Sequence, residues 1–92
     1  MIKSFRHKGL EAFFLTGSRA GINPAHASKL RRQLGQLNES SAAEHMKMPG
    51  WKLHPLIADL AGHYSVWVNG NWRLTFCFEG AHAILVDYQD YH

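Results

Sequence analysis

Only one cysteine, Cys77, occurs in the 92 residues, which excludes an intramolecular disulfide and predicts a packed or half-buried thiol within a strand. Charged residues are also few, 18% against 46% hydrophobic residues, and this balance argues against disorder and predicts a packed core. No apolar run approaches the roughly 18 residues of a membrane-spanning helix, and the first residues lack the apolar stretch of a secretory signal. These absences predict a soluble cytoplasmic protein.

The motifs of several enzyme classes are also missing. The seven histidines show no His-Glu-x-x-His pattern and no cysteine pair accompanies them, so we predict no metal site and no cofactor. Neither a glycine-rich phosphate loop nor a nucleophile elbow occurs. The formal net charge of +3 is modest, so it favours an acidic partner such as nucleic acid only slightly.

The first half of the chain carries the signals of two helices. Because a chain of this length can fill only one core, we predict a single domain over residues 1–92. A short strand is expected at residues 2–5, followed by a helix at residues 9–15 that ends near Gly17. Asn23 and Pro24 predict the start of a second helix. Its buried stripe is expected to be Ala27, Leu30, Leu34 and Leu37, and its outward residues Lys29, Arg31, Arg32 and Gln33.

Beyond Gly50 the pattern changes to the alternation of apolar and polar residues that is typical of strands. Two such runs flank the turn Asn69-Gly70-Asn71, and a three-residue loop there would oppose Val68 to Trp72. Directly opposed residues share a face, so this register gives one apolar face. It leaves the second face to Ser65, Trp67, Arg73 and Thr75.

The order of these elements predicts an α+β fold, β-α-α-β-β-β, with two helices packed on one face of a small antiparallel sheet. Residues 83–86 are apolar at every position, which predicts a strand covered on both faces. The opposite, arginine-bearing face of the sheet is expected to be open.

Four stretches combine acid/base, cationic and aromatic side chains: residues 51–56 (Trp-Lys-Leu-His-Pro-Leu), 64–66 (Tyr-Ser-Val), 71–76 (Asn-Trp-Arg-Leu-Thr-Phe) and 87–92 (Asp-Tyr-Gln-Asp-Tyr-His). Together with residues 2–5, they resemble the HigB branch of the RelE/ParE toxins of type II toxin–antitoxin systems, whose members often end in an Asp-Tyr-His-like tripeptide. The resemblance covers essentially the whole chain. The sequence departs from some relatives at Ile57-Ala58, where they carry a basic residue.

This resemblance implies a metal-independent endoribonuclease that cleaves messenger RNA in the ribosomal A site, by attack of the ribose 2′-OH on the adjacent phosphate. Such a reaction needs a base for the 2′-OH proton, a cation beside the phosphate and an acid for the departing 5′ oxygen. By the resemblance, the catalytic candidates are His54, Arg73, Asp90, Tyr91 and His92. Arg73 is the preferred phosphate ligand, because a guanidinium offers bidentate donors and stays charged, whereas base and acid remain unassigned.

Three further residues are candidates for RNA binding. Lys52 could position a phosphate, Trp67 could stack on a base, and Asn71 could read a base edge. The simpler role of Asn71 is in the turn itself. Residues 90–92 follow the last predicted strand and could also fray, as many terminal segments do.

The resemblance also implies partners: a HigA-like antitoxin, through which alone operator DNA would be contacted, the ribosome with its RNA, and messenger RNA, but no membrane. Two alternatives remain open, since a fold does not fix a function. One is a ParE-like toxin that inhibits DNA gyrase, which would produce gyrase-linked DNA breaks with intact messenger RNA. The other is a noncatalytic RNA- or protein-binding module, which would leave no cleaved RNA ends.

Overall fold

Two helices and a four-stranded antiparallel sheet make up the fold in the computed structural model, which describes residues 1–91. The helices are α1 (Lys8–Thr16) and α2 (Ala27–Glu39), and the strands, in sheet order, are β1 (His54–Pro55), β2 (Tyr64–Asn69), β3 (Trp72–Glu79) and β4 (His82–Asp90). Short 3-10 turns lie at Pro24–His26, Ala43–Met46 and Ala58–Leu60. The predicted α+β class is confirmed. Within residues 1–91, no helix has the length and apolar character needed to cross a membrane.

The amino-terminal segment runs parallel to the beginning of β4. Ile2 and Phe5 form isolated bridges with Ala83 and Val86, respectively. The short strand predicted at residues 2–5 is therefore reduced to two bridges, because β4 bulges between its two bridged residues and interrupts a regular ladder.

The ends of both helices follow the sequence signals. The His7 Nδ1 accepts the Leu10 N–H at 2.9 Å at the start of α1, and Gly17 ends the helix in the left-handed conformation with a φ of 82°. The Asn23 side chain accepts the Ala25 N–H at 3.0 Å and begins the 3-10 turn that leads into α2. The predicted buried stripe is confirmed at Ala27, Leu30, Leu34 and Leu37.

One residue of α2 faces the core, although the sequence predicted that it faces outward. Gln33 is fully buried rather than outward-facing, and its Nε2 donates to the Trp67 carbonyl at 2.9 Å. The Nε2 group is hydrogen-bonded by a partner from β2, which sequence periodicity cannot reveal, while Oε1 is buried without a partner among the described residues. The contact holds α2 against the end of β2.

The β2–β3 hairpin keeps the predicted assignment of faces but not the predicted turn. Trp67 lies opposite Arg73, as expected, whereas Asn69 rather than Val68 lies opposite Trp72. The connection has two residues instead of three, and a bulge at Val68 absorbs the difference. The apolar and polar faces are therefore preserved despite the shorter turn.

A second bulge explains the apolar run in β4. Leu85 and Val86 together lie opposite the single residue Phe76, and Leu85 has a left-handed φ of 54°. The Leu85 N–H donates to Ser4 Oγ at 2.9 Å. The extra residue places both Ala83 and Val86 in the core, while Leu85 is 36% exposed. The prediction that this segment is covered on both faces is therefore wrong, and the residues after the bulge change face.

The start of α1 and the segment before α2 meet at two glycines. A Cβ on Gly21 would lie 2.5 Å from the Gly9 Cα, a contact with backbone that no side-chain rotation relieves. We expect Gly21→Ala to lower the free energy of unfolding by about 1–3 kcal/mol, as measured by urea denaturation. Gly35 lies in α2 with open space around its position, so Gly35→Ala is the matched control and should stabilise by about 0.5–1 kcal/mol. Equal effects of the two substitutions would contradict the close backbone approach.

A buried aromatic cluster fixes the end of β4 on the helix side of the sheet. The Tyr88 hydroxyl lies 2.6 Å from His26 Nδ1 and accepts the Asn23 N–H at 3.4 Å, and its ring stacks on Trp72 with centroids 4.4 Å apart. Burial lowers the pKa of His26 and raises that of Tyr88. Both groups are therefore neutral at pH 7, which suits a hydrogen bond from the tyrosine hydroxyl to the imidazole.

Candidate active site

Polar side chains line the face of the sheet that turns away from the core. His54 lies opposite Ser65, Ser65 opposite Thr75, and Thr75 opposite Asp87, so these four residues form one row across all four strands. A second row, two residues along the strands, consists of Trp67, Arg73 and Gln89. We call these two rows the polar face.

The centre of the polar face is covered, contrary to the expectation of an open face. Ser65 and Thr75 are 0% and 1% exposed. Gln89 Nε2 donates to Asp87 Oδ2 at 2.8 Å and to Thr75 Oγ1 at 3.2 Å, which ties β3 and β4 together across their side chains. The polar face is therefore accessible mainly at its rim, where His54 is exposed.

Arg73 is held in place by the turn that precedes it. Its Nη1 donates to the carbonyls of Gly70 at 3.0 Å and Trp72 at 3.1 Å. Its Nε and Nη2 form no such bond within residues 1–91 and can donate to a phosphate as a pair. Because the guanidinium is anchored before a ligand arrives, little side-chain freedom is lost on binding.

Tyr91 lies next to Arg73. Its backbone N–H donates to the Asn71 carbonyl at 2.7 Å, and its hydroxyl is buried without a hydrogen-bond partner among the described residues. Burial and then the charge of Asp87 raise the pKa of Tyr91, while the charge of Arg73 lowers it. The hydroxyl therefore keeps its proton at neutral pH.

His54 lies on the same face, at the outer strand. Its Nδ1 is 3.1 Å from the Lys52 carbonyl oxygen, and its Nε2 is 3.3 Å from Ser65 Oγ. With a proton on Nδ1, the ring donates to that carbonyl and Nε2 is left as an acceptor. Strand geometry places the Cα atoms of His54 and Arg73 about 12 Å apart, which leaves room for substrate between them.

Asp90 is not brought together with these residues. Asp90 lies opposite Trp72, next to the Arg73–Gln89 pair along the strands. Because neighbouring residues in a strand point to opposite faces, its side chain is on the helix side of the sheet. Consistent with this placement, burial and also the charge of Asp90 raise the pKa of Tyr88 on that side. The sequence prediction treated Asp90 as following the last strand, whereas β4 includes it. His92 lies outside the described residues.

The three RNA-binding candidates lie at one end of the polar face. Asn71 is exposed in the turn beside Arg73, and the Lys52 Nζ lies 4.7 Å from the centroid of the Trp67 ring. The Trp67 Nε1 donates to the Gly70 carbonyl at 2.9 Å, which fixes the ring plane next to the arginine. The structure therefore places Lys52, Trp67, Asn71 and Arg73 in one neighbourhood.

Sequence reasoning missed Asp87 and Gln89. Asp87, Gln89 and Tyr91 are spaced two residues apart, as residues on one face of a strand are. This spacing was the signal that could have placed them together. The bulge at Leu85 hid it, because a strand read without the bulge assigns these residues to the wrong face.

The fold and the polar face define a class of protein, a small α+β domain that carries an anchored guanidinium and acid/base side chains on one face of its sheet. Within residues 1–91, no group of three His, Cys, Asp or Glu side chains is placed to hold a metal ion. Over residues 3–92 the chain matches the family described as RelE-like toxin of type II toxin-antitoxin system HigB. It is 36% identical over 92 residues to Endoribonuclease HigB of Proteus vulgaris, with all of both chains covered. The chain belongs to the HigB-like toxin family, which confirms the resemblance seen in the sequence.

Proposed function

We propose that this toxin is a metal-independent endoribonuclease that cleaves messenger RNA in the ribosomal A site. The name of the Proteus vulgaris relative supports ribonuclease activity. The observation that carries the proposal is the anchored Arg73 guanidinium, which keeps paired donors for a phosphate on the same face as His54 and beside Tyr91.

In the proposed reaction, His54 Nε2 accepts the proton of the ribose 2′-OH, and the 2′ oxygen attacks the adjacent phosphorus. Arg73 stabilises the negative charge that develops on the phosphorane oxygens. The bond from phosphorus to the 5′ oxygen then breaks, and Tyr91 or His92 donates a proton to that oxygen. The products are a 2′,3′-cyclic phosphate and a 5′-hydroxyl. Asp90 would support the site from the helix side rather than contact the reacting atoms.

The distance between His54 and Arg73 supports a requirement for the ribosome. Two side chains on strands whose Cα atoms lie about 12 Å apart do not by themselves align a flexible RNA strand for in-line attack, so in this proposal a second surface holds the nucleotides. In the proposal, Asn71 and Lys52 contact the messenger RNA while ribosomal RNA orients it. Such a toxin would act in the cytoplasm.

The family implies an antitoxin partner, because its description is that of a toxin–antitoxin system. We propose that this partner is HigA-like, that it blocks cleavage, and that any contact with operator DNA is made through it.

The test compares one messenger RNA in two states, bound to ribosomes with an empty A site and free in solution. We expect purified toxin to cut the ribosome-bound RNA at least about 100-fold faster, because effective concentration and orientation are supplied by the ribosome. The free RNA serves as the control. Equally rapid cleavage of the free RNA would contradict ribosome dependence, and cleavage of neither would contradict the nuclease.

A further inference from the structure

The ammonium groups of two lysines lie over the ring of Trp67. The Lys29 Nζ lies 4.2 Å from its centroid and the Lys52 Nζ 4.7 Å. Both distances fall in the range in which an ammonium is attracted to the face of an indole. The ammonium groups therefore compete for the ring with the base that the sequence analysis expected to stack there.

The two lysines reach the ring from different parts of the chain. Lys29 and Arg32 lie on α2 within one turn of Gln33, whose hydrogen bond to the Trp67 carbonyl holds this side of the helix at the end of β2. Lys52 lies in the segment before β1 and has a left-handed φ of 52°, a conformation that non-glycine residues rarely adopt. The backbone hydrogen bond from the Trp67 N–H to the Trp51 carbonyl, at 2.7 Å, holds this segment beside β2.

These cations repel one another. Burial lowers the pKa of Lys29, and the positive charges of Arg32 and Lys52 lower it further, with no carboxylate among the causes. Holding like charges together costs free energy in the unbound protein, and a bound anion relieves that cost. The strained backbone of Lys52 adds to the same cost, and such strain is concentrated at functional sites.

We propose that Lys29 and Lys52, whose ammonium groups lie over Trp67, form with Arg32, whose charge acts on Lys29, a binding site for a backbone phosphate of RNA, separate from the phosphate held by Arg73. We call this group the cation cluster. Trp67 is the platform that holds its ammonium groups, and it is not a stacking partner for a base. The inference rests on the proposed ribonuclease function and extends it to a second phosphate of the same RNA strand.

The position of the cation cluster fits a neighbouring phosphate. Trp67 lies directly opposite Arg73 on the adjacent strand, so the backbones that carry them are about 5 Å apart. A strand of RNA with one phosphate on Arg73 can therefore reach the cation cluster with a neighbouring phosphate. Ammonium groups suit this task, because they bind phosphate as point charges and tolerate any base.

The salt dependence of RNA binding tests the cation cluster independently of catalysis. The probe is a short single-stranded oligonucleotide with 2′-deoxy sugars, which the toxin cannot cleave, and its binding is followed by fluorescence anisotropy at several salt concentrations. We expect Lys29→Gln and Lys52→Gln each to weaken binding and to reduce the slope of log K against log salt, and the double lysine variant to reduce it by about 0.7, the value for one phosphate contact on a single strand. Lys47→Gln, at an exposed lysine outside the cation cluster, is the control and should leave the slope unchanged.

Two variants of the aromatic residue separate a platform from a stacking surface. Trp67→Phe keeps an aromatic face for the ammonium groups and should retain most of the slope, whereas Trp67→Leu should reduce it by about as much as the double lysine variant, about 0.7. Thermal unfolding of each variant checks that the fold is intact. If Trp67→Leu weakens binding while the slope is unchanged, the ring stacks on a base and the proposal is wrong. The proposal would also be overturned if the lysine variants had the same salt slope as Lys47→Gln. It would likewise be overturned if the unmodified toxin did not bind the oligonucleotide at low salt.

Ribosomes distinguish the two possible sources of the phosphate. If the cation cluster holds the strand that is cleaved, the lysine variants should bind more weakly only to ribosomes whose A site contains messenger RNA. A loss of affinity that is the same for vacant ribosomes would assign the phosphate to ribosomal RNA and contradict the neighbouring-phosphate assignment. If the lysine variants have unchanged salt slopes while the toxin cleaves RNA normally, only the cation cluster is contradicted. If their slopes change but the toxin cleaves no RNA, only the proposed nuclease function is contradicted.

Discussion

Arg73→Ala is expected to lower kcat for cleavage of ribosome-bound messenger RNA by about 10²–10³-fold, the usual loss when one donor to a developing negative charge is removed. The reason is geometric. The Nη1 contacts with the Gly70 and Trp72 carbonyls orient the guanidinium before the substrate arrives, so its remaining donors are aimed without further cost. Single-turnover cleavage with saturating toxin measures the effect on the chemical step.

The substitution Arg73→Lys distinguishes the effect of the positive charge from the effect of the guanidinium geometry. Arg73→Lys keeps the positive charge but cannot retain both carbonyl contacts and also donate in pairs, so most of the loss should remain. Arg19→Ala, at an exposed arginine between the helices, is the control and should cleave normally. Full activity of Arg73→Ala would remove Arg73 from the site.

His54→Ala should produce the second large effect, a loss of about 10²–10⁴-fold in kcat, which is the contribution typical of a general acid or base. The Nδ1 contact with the Lys52 carbonyl leaves Nε2 able to accept a proton, and the side chain is exposed on the rim of the polar face. Because the site is accessible from solvent, added imidazole should restore part of the activity of His54→Ala. A histidine that only packs would not respond in this way.

A second exposed histidine provides the matched control. His82 lies at the opposite end of β4 from the polar rows that carry Arg73, and His82→Ala should leave cleavage unchanged and insensitive to imidazole. Equal losses in the two variants would indicate a general effect of removing histidine. Unchanged activity of His54→Ala would require a different base.

Local signals were sufficient to predict the helices and the two faces of the hairpin. Gly17, Asn23 and Pro24 act through their own backbone and side-chain preferences, which do not depend on distant partners. The alternation that places Arg73 opposite Trp67 is equally local. Cys77 is half-buried and free, as its place in an alternating strand predicted.

Features that depend on distant partners could not be predicted. The burial of Gln33 requires the Trp67 carbonyl, and the two lysines on Trp67 come from segments more than twenty positions apart. The bulge at Leu85 is stabilised by Ser4, at the other end of the chain. Without that bulge in view, the residues that follow it, including Asp87 and Gln89, were not recognised as part of the polar face.

The polar face, which carries Arg73, is expected to cleave messenger RNA. Mapping the ends of cellular RNA after a brief pulse of toxin expression tests it most directly. We expect new breaks within coding sequences that carry 2′,3′-cyclic phosphate and 5′-hydroxyl ends, and we expect these breaks to be lost with Arg73→Ala. Arrested growth with intact messenger RNA and gyrase-linked DNA breaks would contradict it.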